Sequence, residues 1–219
     1  MSEPTFTVEY DDLSYTIAKG LLQIGAVELR PHQPFTWSSG WRSPIYCDNR
    51  LILGYPLLRS QVVSGFESII DYELPAVELI AGAATGGIPH AAMLADRLGL
   101  PCAYVRSEAK AHGRGKQIEG YARPGMKAVV IEDTLSTGRS AYQAAQALRD
   151  AGVDVMAILT ILSYDFDIAT KRAEDTGIPA YRLVPYEVLI QVALERGDIQ
   201  ESDVALLMRW RKSPDTYGL

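Results

Sequence analysis

A chain of 219 residues, 47% of them hydrophobic and 22% charged, can bury a full core and lacks the composition of a disordered segment. Its net charge of −6 argues against a general nucleic-acid binder, whose phosphate contacts need a basic surface. No apolar run approaches the ~18 residues of a membrane span, and the opening MSEPTFTVEYDDL lacks the basic-then-apolar layout of a secretory signal.

Taken in chain order, Asp12 to Val27 carries Leu13, Ile17, Leu21 and Ile24 at helical spacing, and Tyr55 to Tyr72 repeats this with Leu58, Val62, Phe66 and Ile69. The run VELIAG, Val77 to Gly82, reads as a buried strand ending in glycine. The turn after it holds Ala84, Thr85, Gly86 and Gly87, small enough for the backbone to approach an anion, though a tight crossover turn explains them equally well. Gly87 to Leu98 has Ile88, Ala91, Ala95 and Leu98 on one helical face, which makes His90 a packed or surface residue. Pro101 to Val105 is strand-like; Cys102 within it reads as a small buried side chain. With only Cys47 besides, no disulfide framework is possible, and a reducing compartment, the cytoplasm, is expected.

Further on, Lys127 to Gly152 reads as an apolar strand (Ala128 to Ile131), a polar turn and an alanine-rich helix closed by Gly152. Val153 to Leu162 is the next buried strand, Ile168 to Thr176 a short helix, and Tyr181 to Val184 a last strand. The tail from Tyr186 to Lys212 is helical with a break at Gly197. Apolar strands separated by helices imply an α/β fold, a parallel sheet flanked by helices with right-handed crossovers. The length suits one domain with added segments. Ligands of such sheets lie beyond the carboxyl ends of the strands. That rule singles out Gly82–Gly87, Arg106–Lys116 and Glu132–Ser140.

In VVIEDTLSTGRSA a buried strand delivers two adjacent carboxylates, Glu132 and Asp133, to a turn of small and hydroxyl residues that opens a helix. Exposed backbone N–H groups at a helix N-terminus favour phosphate. The carboxylates would repel it and suit ribose hydroxyls, a metal or a developing positive charge. A phosphate cradle beside an acidic pair asks for a phosphorylated sugar. The plainer reading is an ordinary strand–loop–helix with Ser136 or Thr137 as N-cap. The segment is neither a Walker A loop nor GxGxxG. Arg106 to Lys116, RSEAKAHGRGK, holds four Lys or Arg and one His against a single Glu. Gly113 and Gly115 discourage a helix there, and such a basic loop can close over a pyrophosphate.

Glu132 to Ser140 resembles the phosphoribosyl pyrophosphate (PRPP) loop of type I phosphoribosyltransferases. Tyr104 to Gly120, YVRSEAKAHGRGKQIEG, resembles the catalytic loop of orotate phosphoribosyltransferases, and Phe35 to Arg50, FTWSSGWRSPIYCDNR, their N-terminal hood. The resemblance implies the type I phosphoribosyltransferase fold over residues 1–219, with 1–50 giving the N-terminal helix and hood and 186–219 a helical tail. It implies PRPP and orotate as substrates and Mg2+ as cofactor. It implies a homodimer sharing the 106–116 loop between subunits, with no nucleic-acid or membrane partner. By the same resemblance Lys110, His112 and Asp133 are catalytic, and Arg106, Lys110 and His112 contact pyrophosphate. Glu132 and Asp133 anchor the ribose, and Thr134, Leu135, Ser136, Thr137, Gly138, Arg139 and Ser140 complete the PRPP site. Ala84, Thr85, Gly86 and Gly87 form the pyrophosphate-side loop, and Ser136 and Tyr46 meet orotate, with Arg42 offered to its carboxylate. Three features depart from the family pattern: Ser38 and Ser107 each stand where a lysine is usual, and the pair Ser163-Tyr164 replaces an Asp-Arg whose Arg grips orotate. A transferase for another base, or a non-catalytic PRPP-sensing regulator, are the alternatives.

Overall fold

The structure, a computed structural model, describes residues 11–37, 40–107, 117–215 and 217. Helix α1 (Asp12–Gln23) starts at Asp11, whose side chain accepts the Ser14 N–H at 2.7 Å, an N-cap in the usual sense. It ends four residues before Val27 because Gly25, at φ 70°, turns the chain into strand β1 (Val27–Leu29). The hood follows as β2 (Phe35–Thr36), β3 (Arg42–Ser43) and β4 (Ile45–Cys47), which pair antiparallel as two small ribbons, β1 with β4 and β2 with β3. A 3-10 turn, Asn49–Gly54, leads into α2 (Pro56–Glu73), with Pro56 at the first helical position.

The central part alternates as expected: β5 (Leu79–Ala83), α3 (Gly87–Leu98), β6 (Cys102–Val105), β7 (Ile118–Gly120), β8 (Lys127–Leu135), α4 (Arg139–Asp150), β9 (Asp154–Ser163), α5 (Asp167–Thr176) and β10 (Ala180–Val184). Helices α6 (Tyr186–Arg196) and α7 (Glu201–Lys212) form the tail. The six-stranded sheet has the order β10-β9-β8-β5-β6-β7 and is parallel except at its edge, where β7 runs antiparallel to β6. That edge strand escapes sequence patterning for a physical reason. It is three residues long, partly exposed, and reached by a hairpin rather than a helix.

Strand β8 also runs longer than its apolar stretch. Pairing with β9 continues past Ile131, with Glu132 opposite Thr160, Thr134 opposite Leu162 and Leu135 opposite Ser163. Backbone pairing is indifferent to side-chain polarity, so the acids ride on the strand itself. Helices α1, α2, α3 and α6 cover one sheet face, with Ile17, Phe66, Leu94 and Leu189 against Val129, Ile131 and Leu159. Helices α4 and α5 cover the other, with Tyr142, Ala145 and Ala169 against Val130 and Val155. Cys102 is only half-buried, since β6 lies one strand from the edge. Among the described residues no helix is long and apolar enough to cross a membrane.

Candidate active site

The carboxyl end of β8 sits mid-sheet and hands the chain to α4 through Ser136, Thr137 and Gly138. Gly138 is the N-cap residue at φ 76°, and no side chain caps the helix. The plainer reading, with Ser136 or Thr137 as N-cap, therefore fails. Among the described residues no side chain caps the first α4 turn, so its N–H groups are available to an anion. Glu132 is buried, 5% exposed. Its Oε2 accepts from Ser140 Oγ at 2.7 Å and its Oε1 from the Asp133 N–H at 3.2 Å. Burial, then the neighbouring Asp133 charge, pushes the Glu132 carboxyl well above the usual carboxylate range. Glu132 so holds its proton to higher pH than a surface acid, which lessens the repulsion an incoming phosphate meets. Asp133 is half-buried, with Oδ1 accepting the Thr134 N–H at 3.0 Å.

The Ala84–Gly87 turn packs straight onto this strand end. A Cβ at Gly86 would stand 2.3 Å from Asp133 Cγ, and one at Gly87 only 2.0 Å from the Ile131 carbonyl oxygen. Close approach, more than backbone freedom, is what demands glycine here, since neither residue has positive φ. The Ala84–Thr85 peptide is cis. Behind it His90 is 1% exposed, and its Nδ1 lacks a partner among the described residues. Burial, partly opposed by the Asp133 charge, lowers its pKa to about 4, so the ring is neutral at physiological pH.

On the other side of β8 the hood closes a cavity of about 520 Å³ lined by Thr36, Trp37, Trp41, Tyr46, Cys47, Thr134, Ser136, Thr137 and Tyr164. Its back wall is an aromatic stack. Trp37 lies over Tyr164, centroids 5.6 Å apart and planes 20° apart, and Trp210 of α7 meets both edge-on. Asn49, fully buried, ties hood to sheet, its Nδ2 donating to the Asp133 carbonyl at 2.7 Å and to Thr134 Oγ1 at 3.0 Å. Nothing in SPIYCDNR marks Asn49 or Cys47 as site residues; only their burial in the fold does. Arg42, offered for a carboxylate, is exposed on β3 and outside the cavity lining.

Arg106 closes the base of the β6–β7 hairpin. Its N–H donates to the Gln117 carbonyl at 3.0 Å, and Gln117 Nε2 returns a bond to the Arg106 carbonyl at 2.9 Å. The guanidinium lies 4.0 Å from Glu119. Lys110 and His112 lie outside the described residues, as does Ser38.

A model of the phosphoribosyl transferase domain matches residues 68–184. Orotate phosphoribosyltransferase of Bacillus cereus is 50% identical over 198 residues, covering 90% of this chain and 94% of that protein. The protein of the same name from Halalkalibacterium halodurans is 49% identical over 203 residues, 93% of this chain and 97% of its own. The chain belongs to the orotate phosphoribosyltransferases. The crystal structure of orotate phosphoribosyltransferase from Aeropyrum pernix superimposes with a TM-score of 0.72 at 32% identity, over 84% of this chain and 99% of that one. The type I phosphoribosyltransferase fold expected from the sequence is thereby the observed one.

For this orotate phosphoribosyltransferase the structure gathers Ala84–Gly87, Glu132, Asp133 and Ser136–Ser140 around one strand end, with Tyr46 and Ser136 toward the cavity. Two residues sit differently from a simple binding turn. Leu135 has its side chain in the core and its carbonyl bonded to the Tyr164 N–H at 3.0 Å. Thr134 faces the hood and the cavity. Tyr164, where the resemblance leads one to look for a base-binding Arg, fills the cavity wall with an aromatic ring; burial raises its hydroxyl well above the usual phenol range.

Proposed function

We propose that the hood cavity receives orotate while the β8–α4 turn receives the 5-phosphate of PRPP, so that the two reactants meet beside Asp133. The enzyme transfers the ribose 5-phosphate of PRPP to orotate, giving orotidine 5′-monophosphate and pyrophosphate, a step of pyrimidine biosynthesis. One observation carries the assignment of the parts: Ser136 and Thr137 belong both to the aromatic-walled cavity and to the turn, with Thr134 beside them at the end of β8. A flat base and a sugar phosphate bound on either side of those residues are held in reacting range, which is most of what such a displacement needs.

Departure of pyrophosphate leaves positive charge on the sugar. Asp133 stands closest to that charge and to the ribose hydroxyls, while Glu132 braces Ser140 and the Asp133 N–H from behind. The N–H groups of Ser136 to Ser140 hold the 5-phosphate; Ala84–Gly87 lies on the pyrophosphate side. Arg106, Lys110 and His112 stabilise the leaving pyrophosphate. Mg2+ suits this site: Asp133, half-buried at the strand end, offers a hard carboxylate oxygen of the kind that complements substrate phosphates. Bound there, the ion would neutralise pyrophosphate charge.

The finer layout is part of the same proposal. Residues 1–219 act as one catalytic domain, with 1–50 supplying helix and hood and 186–219 the tail. A homodimer sharing the 106–116 loop is supported by Leu51, Tyr55 and Leu57, apolar side chains exposed by 44%, 47% and 84% along one short stretch. The free thiols Cys47 and Cys102 suit the cytoplasm. Assaying the protein with PRPP and each of orotate, uracil, adenine and hypoxanthine tests the site assignment. Turnover confined to orotate, and lost on Asp133→Asn with weaker PRPP binding by calorimetry, is the expected result. Unchanged PRPP affinity in that variant removes Asp133 from the ribose.

A further inference from the structure

We propose that Thr134 is the hydrogen-bond donor with which the cavity recognises an acceptor oxygen on the base, its polarity set by Asn49 of the hood. The proposal rests on reading the hood cavity as the base site.

The argument begins with the Asn49 amide. Its nitrogen faces the Asp133 carbonyl at 2.7 Å, and a carbonyl oxygen only accepts, so the group there must be the NH2. One amide proton goes to Asp133. The other points at Thr134 Oγ1, 3.0 Å away. Thr134 therefore accepts from Asn49, and its own proton must go elsewhere. Among the described residues the other polar neighbour of that oxygen is Cys47 Sγ at 3.5 Å. Burial pushes the Cys47 thiol up to about 12, so it remains a neutral S–H and a weak acceptor. The Thr134 hydroxyl thus has a proton, no strong acceptor, and a place in the wall of a cavity it shares with Trp37, Tyr46 and Tyr164. An oxygen on a pyrimidine ring entering that cavity offers a far better acceptor than sulfur. A site built to donate discriminates against analogues that cannot accept.

The test compares Thr134→Val, which keeps the shape and loses the donor, with Thr134→Ser, which keeps the donor. Thr134→Val is expected to raise the KM for orotate about tenfold, the scale of one neutral hydrogen bond, with the KM for PRPP within about twofold. Thr134→Ser should restore the orotate KM. Asn49→Asp, whose carboxylate would draw the Thr134 proton to itself, should give the same selective rise. An unchanged orotate KM in Thr134→Val, an equal rise for PRPP, or failure of serine to rescue would overturn the assignment. An unchanged KM in Asn49→Asp would overturn the polarity. Should Thr134→Val fail to fold, Thr134→Ala makes the same comparison. Trp41→Ala separates the two layers of the reading. If it raises the orotate KM while Thr134→Val does not, the donor role falls and the cavity stands; if neither moves it, the base binds elsewhere.

Discussion

The turn proposed for the phosphate and the cavity proposed for the base adjoin beside Thr134, yet they are built by opposite means. The turn is backbone: a strand end, a glycine N-cap and two glycines pressed against β8, all within 82–140. The cavity is side chain. Its wall draws Trp37 from the hood and Tyr164 from the end of β9, both braced by Trp210 of the last helix, 173 positions beyond Trp37. Backbone sites suit a ligand part that never varies, such as the phosphate proposed for this turn, because N–H geometry is independent of side-chain identity. Side-chain sites serve the part that must be distinguished, and they can be retuned one residue at a time.

If this contrast is right, damage on one side should leave the other side's substrate untouched. The largest effect is expected from Trp210→Ala. Trp210 is 1% exposed and contacts Trp37, Tyr164, Phe166 and Tyr186, with centroids 5.1–5.8 Å away. Its loss should cost about 3–5 kcal/mol of stability in denaturant melts, the usual penalty for emptying a buried Trp site. The folded fraction should show a raised KM for orotate and an unaltered KM for PRPP. An equal rise in both would mean that the two regions are mechanically one.

Gly87→Ala probes the other side. Its Cβ would fall 2.0 Å from the Ile131 carbonyl oxygen, a rigid backbone atom, so the turn must retreat from β8. A destabilisation of about 2–3 kcal/mol is expected, the scale of overpacking, with PRPP affinity by calorimetry falling and orotate-site selectivity intact. Unchanged PRPP binding would detach the Ala84–Gly87 turn from the substrate.

The same contrast explains what the sequence disclosed. The phosphate side is local and periodic: the run Ala128–Ile131, then acids, hydroxyls and Gly138, can be read in one window, and so can the order of buried strands. What stayed hidden is what arises from distance. Asn49 looks like any hood residue until the fold carries it beneath Asp133. Tyr164 looks like a lost binding residue until Trp37 is found stacked on it. β7 carries no apolar signature because an edge strand of three residues needs none. The acids on β8 were legible as a pair but not as strand residues, because pairing with β9 is invisible to side-chain patterning.

The smallest expected effect concerns those acids and decides whether Glu132 belongs to the turn's framework or to its chemistry. Its folded pKa is raised above the ordinary 4.5, chiefly by burial. The folded chain therefore holds a proton over a pH range in which the unfolded chain has released it. The stability this confers is full below pH 4.5 and is lost as pH rises into the neutral range. Glu132→Gln stays uncharged throughout and can still bond Ser140. Relative to wild type it should gain stability with rising pH, on the order of 1–2 kcal/mol between pH 5 and pH 8, measured by urea titration at both. PRPP affinity should fall less than in Asp133→Asn. A flat difference between the two pH values would mean that Glu132 is ionised where it stands. Both acids would then face the sugar together, and the turn would be tuned by side chains just as the cavity is.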